Sequence, residues 1–273
     1  MRITHFLFNG KLRLGIAEEG VLYPLQFEGS MIDFIASGSK AGKKIEAPLS
    51  LHEVRFAPVV SNPSKIIALG LNYLDHARES KGAIPKVPLI FAKFPNSLTG
   101  HREPITWSRE ITKKVDFEAE LAVIVGTKAY RCGEKEALDH VFGYCCSNDV
   151  SARDLQFGDG QWVRGKSLDT FCPLGPWIVT RDEIPDPHVL GIKTTVNGKT
   201  MQDSSTAMMI FRIPQVIAFL SRHFTLLPGD VILTGTPHGV GTFREPSIYL
   251  KDGDEVVIDI EKIGRLVNTC RVE

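Results

Sequence analysis

The chain has 273 residues, of which 43% are hydrophobic and 23% charged, and its 32 Lys+Arg are matched by 32 Asp+Glu. This is the composition of an ordinary globular protein, which excludes disordered and fibrous classes, and the length is just under twice the ~150 residues of a typical domain. Zero formal charge and a pI near 7.1 leave no cationic excess for gathering phosphates, so neither a nucleic-acid partner nor a membrane surface is expected.

The opening MRITHFLFNGKLRLG has only three apolar residues in a row before Asn9-Gly10, too short for a signal-peptide core, and no run approaches a membrane span. Five cysteines (Cys132, Cys145, Cys146, Cys172, Cys270) with no CxxC pair write neither a disulfide framework nor a zinc knuckle. A cytoplasmic, unprocessed protein is the expectation. Cys145 and Cys146 would point to opposite faces of a strand, as small buried apolar residues.

Residues 2–27 read as a β meander, with Asn9-Gly10 as the first turn. A polar stretch follows at 38–44, where Lys40, Lys43 and Lys44 read as a solvated loop. Ser61-Asn62-Pro63-Ser64 then marks a boundary near residue 62, giving a small N-terminal β domain (1–62) and a larger domain (63–273). The larger part has short apolar runs at 66–69, 89–92, 121–125, 141–146, 177–180, 192–196, 231–234 and 256–260, divided by Gly and Pro. Helical periodicity is clear at 214–222, where Ile213, Ile217 and Leu220 share a face. The fold class is α+β, rich in β.

Five segments carry chemistry. In Asp116-Phe-Glu118-Ala-Glu120-Leu-Ala-Val-Ile-Val, a strand puts Phe117, Ala119, Leu121, Val123 and Val125 on one face and Glu118, Glu120, Ala122 and Ile124 on the other. Two carboxylates entering a buried strand on one side repel each other unless one holds a proton or a cation neutralises both, and all-oxygen ligands suit Mg²⁺, Mn²⁺ or Ca²⁺. The plain alternative leaves both at an exposed strand end, paired with Lys113 and Lys114. Asp149 ends the next apolar run at a strand-to-helix corner, with Ser151 and Asp154 as a capping arrangement and Arg153 and Gln156 on one helix face. Taken singly, Asp149 also suits a turn and Arg153 a structural salt bridge.

Lys166, in Gly165-Lys166-Ser167, tempts a P-loop reading, but the strand–loop–helix context is missing and Trp162 fills the loop. It is either solvent-facing or placed to hold a developing oxyanion. His76 and Glu79 have the i, i+3 spacing at which a carboxylate orients an imidazole, between Gly70 and Gly82 as hinges of a lid; an exposed surface pair is the alternative. Thr234-Gly-Thr236-Pro-His-Gly follows a strand and reads as a tight turn or as a carboxylate cradle of hydroxyls and amides.

GLNYLDHARE, DFEAELAVIVG, NDVSARDLQ, GKSLDTFCPLGPW and LLPGDVILTGTPHGVG, in this order from about residue 64 onward, resemble the fumarylacetoacetate hydrolase family. The resemblance implies a mixed β-roll or barrel with a small N-terminal β domain, a homodimer, and one Mg²⁺ or Mn²⁺ per site held by Glu118, Glu120 and Asp149. It implies Lys166 and Gln156 at the reacting oxygen, Arg153 and Thr236 lining the pocket, Thr170 supporting Lys166, and His76–Glu79 as a water-activating dyad on a lid. Members closest to the eponymous enzyme carry an acidic residue where this chain has Asn72, which points away from that substrate and puts a water in the missing ligand's place. The implied reaction is carbon–carbon hydrolysis of an acylpyruvate-type 2,4-dioxo acid through a metal-bound enolate. The same enolate serves oxaloacetate decarboxylation, the runner-up, and isomerisation of 2-hydroxyhepta-2,4-diene-1,7-dioate. A catalytically idle binding protein on the same fold is the alternative of another class.

Overall fold

The computed structural model describes residues 1–39 and 47–273. The Lys40, Lys43 and Lys44 cluster lies outside the described residues. The predicted apolar runs all form strands, most extending one or two residues beyond the run. One large mixed sheet has the order Leu49–Ser50, Val21–Pro24, Lys11–Glu18, Arg2–Phe8, Cys172–Thr180, Val141–Asn148, Ala119–Val125, Val231–Leu233, Ile66–Gly70 and Leu89–Lys93. The N-terminal meander is thus sewn into it, with Ile3 paired to Ile178. A five-stranded sheet runs Lys199–Ser205, Gly191–Val196, Glu255–Ile260, Gly264–Val272 and Ile105–Trp107.

The Ala119–Val125 strand explains how the layers are held. It lies between two neighbours in the sheet and is covered on both faces, so both are apolar. Phe117, Ala119, Leu121, Val123 and Val125 enter the core shared with Ile192, Val256, Ile258 and Leu266 of the five-stranded sheet. Ala122 and Ile124 enter a second core, under the N-terminal strands and the Met31–Ala36 helix. Each fully buried Val, Ile or Leu adds roughly 1.5–3 kcal/mol. Cys145 and Cys146 divide between the same two cores, and all five cysteines are buried and unpaired. The amphipathic helix Ile213–His223 forms as expected, burying Ile213, Ile217 and Leu220 with Val216. No described helix is long and apolar enough to cross a membrane.

The strand directions gather several chain segments at one end of the sheet. Ala119, at the start of its strand, pairs with Asn148 at the end of the neighbouring one, and Ser147 pairs with Leu174 beside the start of the next. On the other side, Val231–Leu233 runs antiparallel to Ala119–Val125 and parallel to Ile66–Gly70, so residues 234–236 and the segment after Gly70 emerge at that same end.

Three histidines serve this framework as acceptors. His5 Nε2 accepts the Met31 N–H at 3.0 Å, His101 Nδ1 the Val267 N–H at 3.1 Å and His188 Nε2 the Ile213 N–H at 3.1 Å. Burial lowers the pKa of each, to about 4 for His5 and for His101. The unfolded imidazoles protonate near the usual ~6.5. Between those values the unfolded chain binds more protons, so stability declines as pH falls from about 6.5 toward 4. Melting temperatures should therefore drop across this window, and His5→Gln, whose amide oxygen still accepts the Met31 N–H, should flatten the decline; a wild-type melting temperature constant between pH 7 and 5 would refute the assignment.

Candidate active site

At the gathering end of the sheet, Glu118, Glu120 and Asp149 each offer an oxygen, and the three oxygens lie within 4.8 Å of one another. All three residues are buried, so the exposed pairing with Lys113 and Lys114 does not occur. Glu118 and Glu120 come from one edge of a strand two residues apart, and Asp149 from the corner after the paired strand, where its N–H donates to the Glu118 carbonyl.

Buried cations answer most of this charge. Lys166 Nζ sits 2.7 Å from Glu118 Oε2 and 2.6 Å from Asp149 Oδ2. Arg153 is spread over three partners: Nε donates to Asp116 Oδ2 (2.9 Å), Nη1 donates to Gln156 Oε1 (2.9 Å), and Nη2 forms an ion pair with Glu118 Oε1 at 2.6 Å without an aligned hydrogen bond. Burial opposes the ionised form of Glu118, but Lys166 and Arg153 outweigh it and bring its pKa down to about 2. Burial likewise opposes the charged form of Lys166, and Asp149 and Glu118 reverse the effect and raise its pKa. Glu120 goes the other way: burial and the charges of Asp149 and Glu118 push its pKa well above the carboxylate range, although Lys166 and the Gly235 N–H at 2.6 Å favour its anion.

A carboxylate left short of positive charge, in an all-oxygen cluster, fits a hard divalent cation such as Mg²⁺ or Mn²⁺. Both ions accept this donor set.

The predicted dyad forms. His76 and Glu79 lie on the helix Leu74–Glu79, with His76 Nδ1 3.1 Å from Glu79 Oε2. The helix is anchored from both ends: Glu79 Oε1 accepts the Gly239 N–H at 2.8 Å, and Asp75 Oδ2 accepts the Ser204 hydroxyl at 2.5 Å. The glycines expected as hinges are closely packed. A side chain on Gly70 would collide with Trp162, and the left-handed residues are Leu71 and Lys81 beside the two glycines. Asn72 is no ligand substitute either. Its NH₂ donates to the Phe211 and Thr234 carbonyls and its Oδ1 accepts the Phe211 N–H, a set that a carboxylate could not complete because it has no donor.

His76, Glu118, Arg153, Gln156, Lys166 and Thr236 line one cavity of about 220 Å³, with Leu69, Leu71, Phe91, Phe157, Trp162 and Phe243 as its apolar wall. Lys166 ends the short helix Val163–Lys166, and Phe91 stacks against its ammonium at 5.2 Å. Gly165 allows that helix to lie against the Arg153–Asp159 helix, since a Cβ there would meet the Gln156 N and Ala152 O.

Three expectations are corrected. Thr170 does not support Lys166: in a left-handed conformation (φ 66), its hydroxyl accepts the Thr106 N–H at 2.8 Å. Ser151 and Asp154 do not form a cap. Ser151 lies in a short strand and its hydroxyl donates to the Asp149 carbonyl, while Asp154 accepts from Thr112 and Lys113. The 234–242 loop is a carboxylate cradle, but for the protein's own carboxylates: its amides at Gly235, Gly239, Gly241 and Thr242 bind Glu120, Glu79 and Asp116. Thr236 remains available to a ligand, its Oγ1 accepting from Gln202 Nε2 at 2.8 Å and its own proton free to donate.

Two buried residues were missed. Asp116 accepts the Gly241 and Thr242 N–H groups and the Arg153 Nε–H, and its signal was its place at the head of the acidic strand motif. Lys93 reaches Asp149 from inside the strand Leu89–Lys93, and its signal was a lysine at the end of an apolar run.

The family described as Fumarylacetoacetate (FAA) hydrolase C-terminal matches residues 65–271. The chain belongs to the fumarylacetoacetate hydrolase family. It is 48% identical over 222 residues to a mitochondrial oxaloacetate tautomerase of Xenopus laevis, covering 81% of this chain and 69% of that one. Among solved structures, it superposes on the fumarylacetoacetate hydrolase of Exiguobacterium antarcticum with a TM-score of 0.91 and 39% identity, each chain fully covered. The 2-hydroxyhepta-2,4-diene-1,7-dioate isomerase of Mycobacterium marinum gives a TM-score of 0.84 at 34% identity, covering 100% of this chain and 99% of that one. The family fold is thus established, and the family's enzymes include hydrolases, isomerases and tautomerases of oxo acids.

Two measurements probe the site. Mg²⁺ or Mn²⁺ at a hundredfold excess over its Kd should stabilise the wild type by about 3 kcal/mol; in thermal melts Glu120→Gln should remove most of that gain, and an equal gain in the variant would exclude Glu120 as a ligand. Asp116→Asn should cost roughly 3–5 kcal/mol in urea unfolding, because it leaves Arg153 and a loop amide without their acceptor; a loss under about 1 kcal/mol would show that the Asp116–Arg153 pair does not hold the site.

Proposed function

We propose that this chain is a keto–enol tautomerase of 2-oxo acids of the oxaloacetate type, moving a proton between carbon 3 and the 2-oxo oxygen. The observation that carries the reading is that an oriented imidazole and Glu118, one oxygen donor of the acidic cluster, line one small cavity. The 48% identity to an oxaloacetate tautomerase supports it.

Glu118, Glu120 and Asp149 would hold a divalent cation, which when bound supplies Lewis acidity to the substrate's carboxylate and 2-oxo group and so makes the neighbouring C–H more acidic. The chain's own residues do the rest. Glu79 accepts the Nδ1 proton of His76, which fixes the tautomer and leaves Nε2 to carry the proton: it takes it from carbon 3 and delivers it to the 2-oxo oxygen, or the reverse. Lys166 and Arg153 place positive charge where the substrate oxygen becomes negative. Gln156, its amide oxygen taken by Arg153, presents its NH₂ as a donor, and the Thr236 hydroxyl supplies another. Phe91 and Trp162 limit access of water to the enol.

A second reading, hydrolysis of an acylpyruvate, is favoured by the apolar wall of Leu69, Leu71, Phe91, Phe157 and Trp162, which suits an uncharged acyl group better than a second carboxylate. There the same imidazole would activate water, and the carbon–carbon bond would break after attack on the distal carbonyl.

Mn²⁺-loaded enzyme should be given oxaloacetate enol, keto oxaloacetate and acylpyruvates separately, following enol absorbance, CO₂ release and pyruvate release. Enol decay without CO₂ or acylpyruvate turnover is the expected outcome, whereas acylpyruvate cleavage with uncatalysed enol decay promotes the second reading. His76→Gln and Glu79→Gln should each lower the rate, the former by about 10²–10⁴-fold, with Mn²⁺ still bound. Wild-type rates in both variants would remove the dyad from the reaction.

A further inference from the structure

With all four carboxylates ionised, as metal binding would require of the ligands, the charges buried around the cavity do not balance. Asp116, Glu118, Glu120 and Asp149 face Lys93, Arg153 and Lys166, four carboxylates against three cations, and all seven residues are buried. Lys93 is the least expected of these. Its side chain has no exposed surface, and it arrives from Leu89–Lys93, a terminal strand in the order of the large sheet. Its ammonium lies 2.6 Å from Asp149 Oδ1, also donates to the Lys166 carbonyl, and stands 3.5 Å from the Val150 carbonyl. One side chain therefore ties together a candidate metal ligand, the residue after it and the backbone of the lysine opposite.

We infer that Lys93 is a positioning residue that presents Asp149 to the cation through one oxygen only and keeps the loaded site positive toward an anionic substrate. The inference rests on the metal reading of the acidic cluster. Oδ1 is held by Lys93 at 2.6 Å, outside the cavity lining, while Oδ2 is held at 2.6 Å by Lys166, which lines the cavity beside Glu118. A divalent ion added to the seven groups leaves one net positive charge, which an arriving carboxylate neutralises. Without Lys93 the same loaded site is neutral. The charge acts from a dry position, where salt screens it weakly. A role in packing alone is a different claim: Lys93 would then fill space and satisfy two carbonyls, and its charge would be irrelevant to ligands.

Metal and anion binding separate the two. Mn²⁺ affinity is measured by calorimetry on wild type, Lys93→Met and Lys93→Arg, then oxalate affinity on each Mn²⁺-loaded protein, with thermal melts as the folding control. Lys93→Met should bind Mn²⁺ at least as tightly as wild type, because a repelling charge is gone and Asp149 gains a free oxygen. It should bind oxalate at least about tenfold more weakly, and Lys93→Arg should recover most of that loss. Unchanged oxalate affinity in Lys93→Met overturns the inference, as does a parallel loss of Mn²⁺ and oxalate that Arg does not recover. Should Lys93→Met fail to fold, Lys93→Gln is read by the same two affinities. Wild type that takes up no Mn²⁺ defeats the metal reading, and this inference with it, whereas wild type that binds both ligands confines any failure to Lys93.

Discussion

Four carboxylates from two chain segments can share one buried site only because three cations are buried with them. Each unpaired ion in a dry interior would cost several kcal/mol, and breaking any one pair strands its partner. The pairs are interlocked: Arg153 holds Asp116 and Glu118, Lys166 holds Glu118 and Asp149, and Lys93 holds Asp149. Glu120 alone has only a backbone amide as its hydrogen-bond donor, and burial beside two like charges keeps its carboxyl reluctant to ionise. A hard divalent cation bound among these oxygens would favour its anion.

The fold creates this arrangement through strand direction. Antiparallel neighbours put the start of one strand beside the end of the next, so Glu118 and Glu120 meet Asp149 although some thirty residues separate them. The Val231–Leu233 strand then delivers a glycine-rich loop to the same end, and its amides clamp Glu120, Glu79 and Asp116 in place. One loop thereby fixes a candidate ligand, the partner of the imidazole and the partner of Arg153. Gly241 is required there because a Cβ would strike the Ile248 carbonyl and Asp116.

The apolar wall above this charged floor gives the cavity two chemical characters. The floor suits a carboxylate and an adjacent oxo group, and the wall of Phe91, Phe157 and Trp162 governs what may extend from carbon 3. Family relatives named as a tautomerase, a hydrolase and an isomerase belong together with this chain, so the fold alone does not choose among those reactions.

Much of the local order was legible in the sequence, because periodicity of two decides which side chains share a strand face: Glu118 with Glu120, and Cys145 opposite Cys146. Spacing of three on a helix likewise brought His76 to Glu79 and Arg153 to Gln156. The Ser151–Asp154 cap was misread because the partner of Asp154, Thr112, comes from a segment whose proximity no local pattern encodes, and Thr170 likewise meets the distant Thr106. Lys93 and Asp116 escaped for the same reason: a buried ion is defined by its countercharge, and Asp149 and Arg153 lie far along the chain. The sequence by itself determined the strands, their faces and the oxygen ligands on offer. Only the tertiary structure decided which cation meets which carboxylate, because that depends on strand order and on water being excluded from the place where they meet.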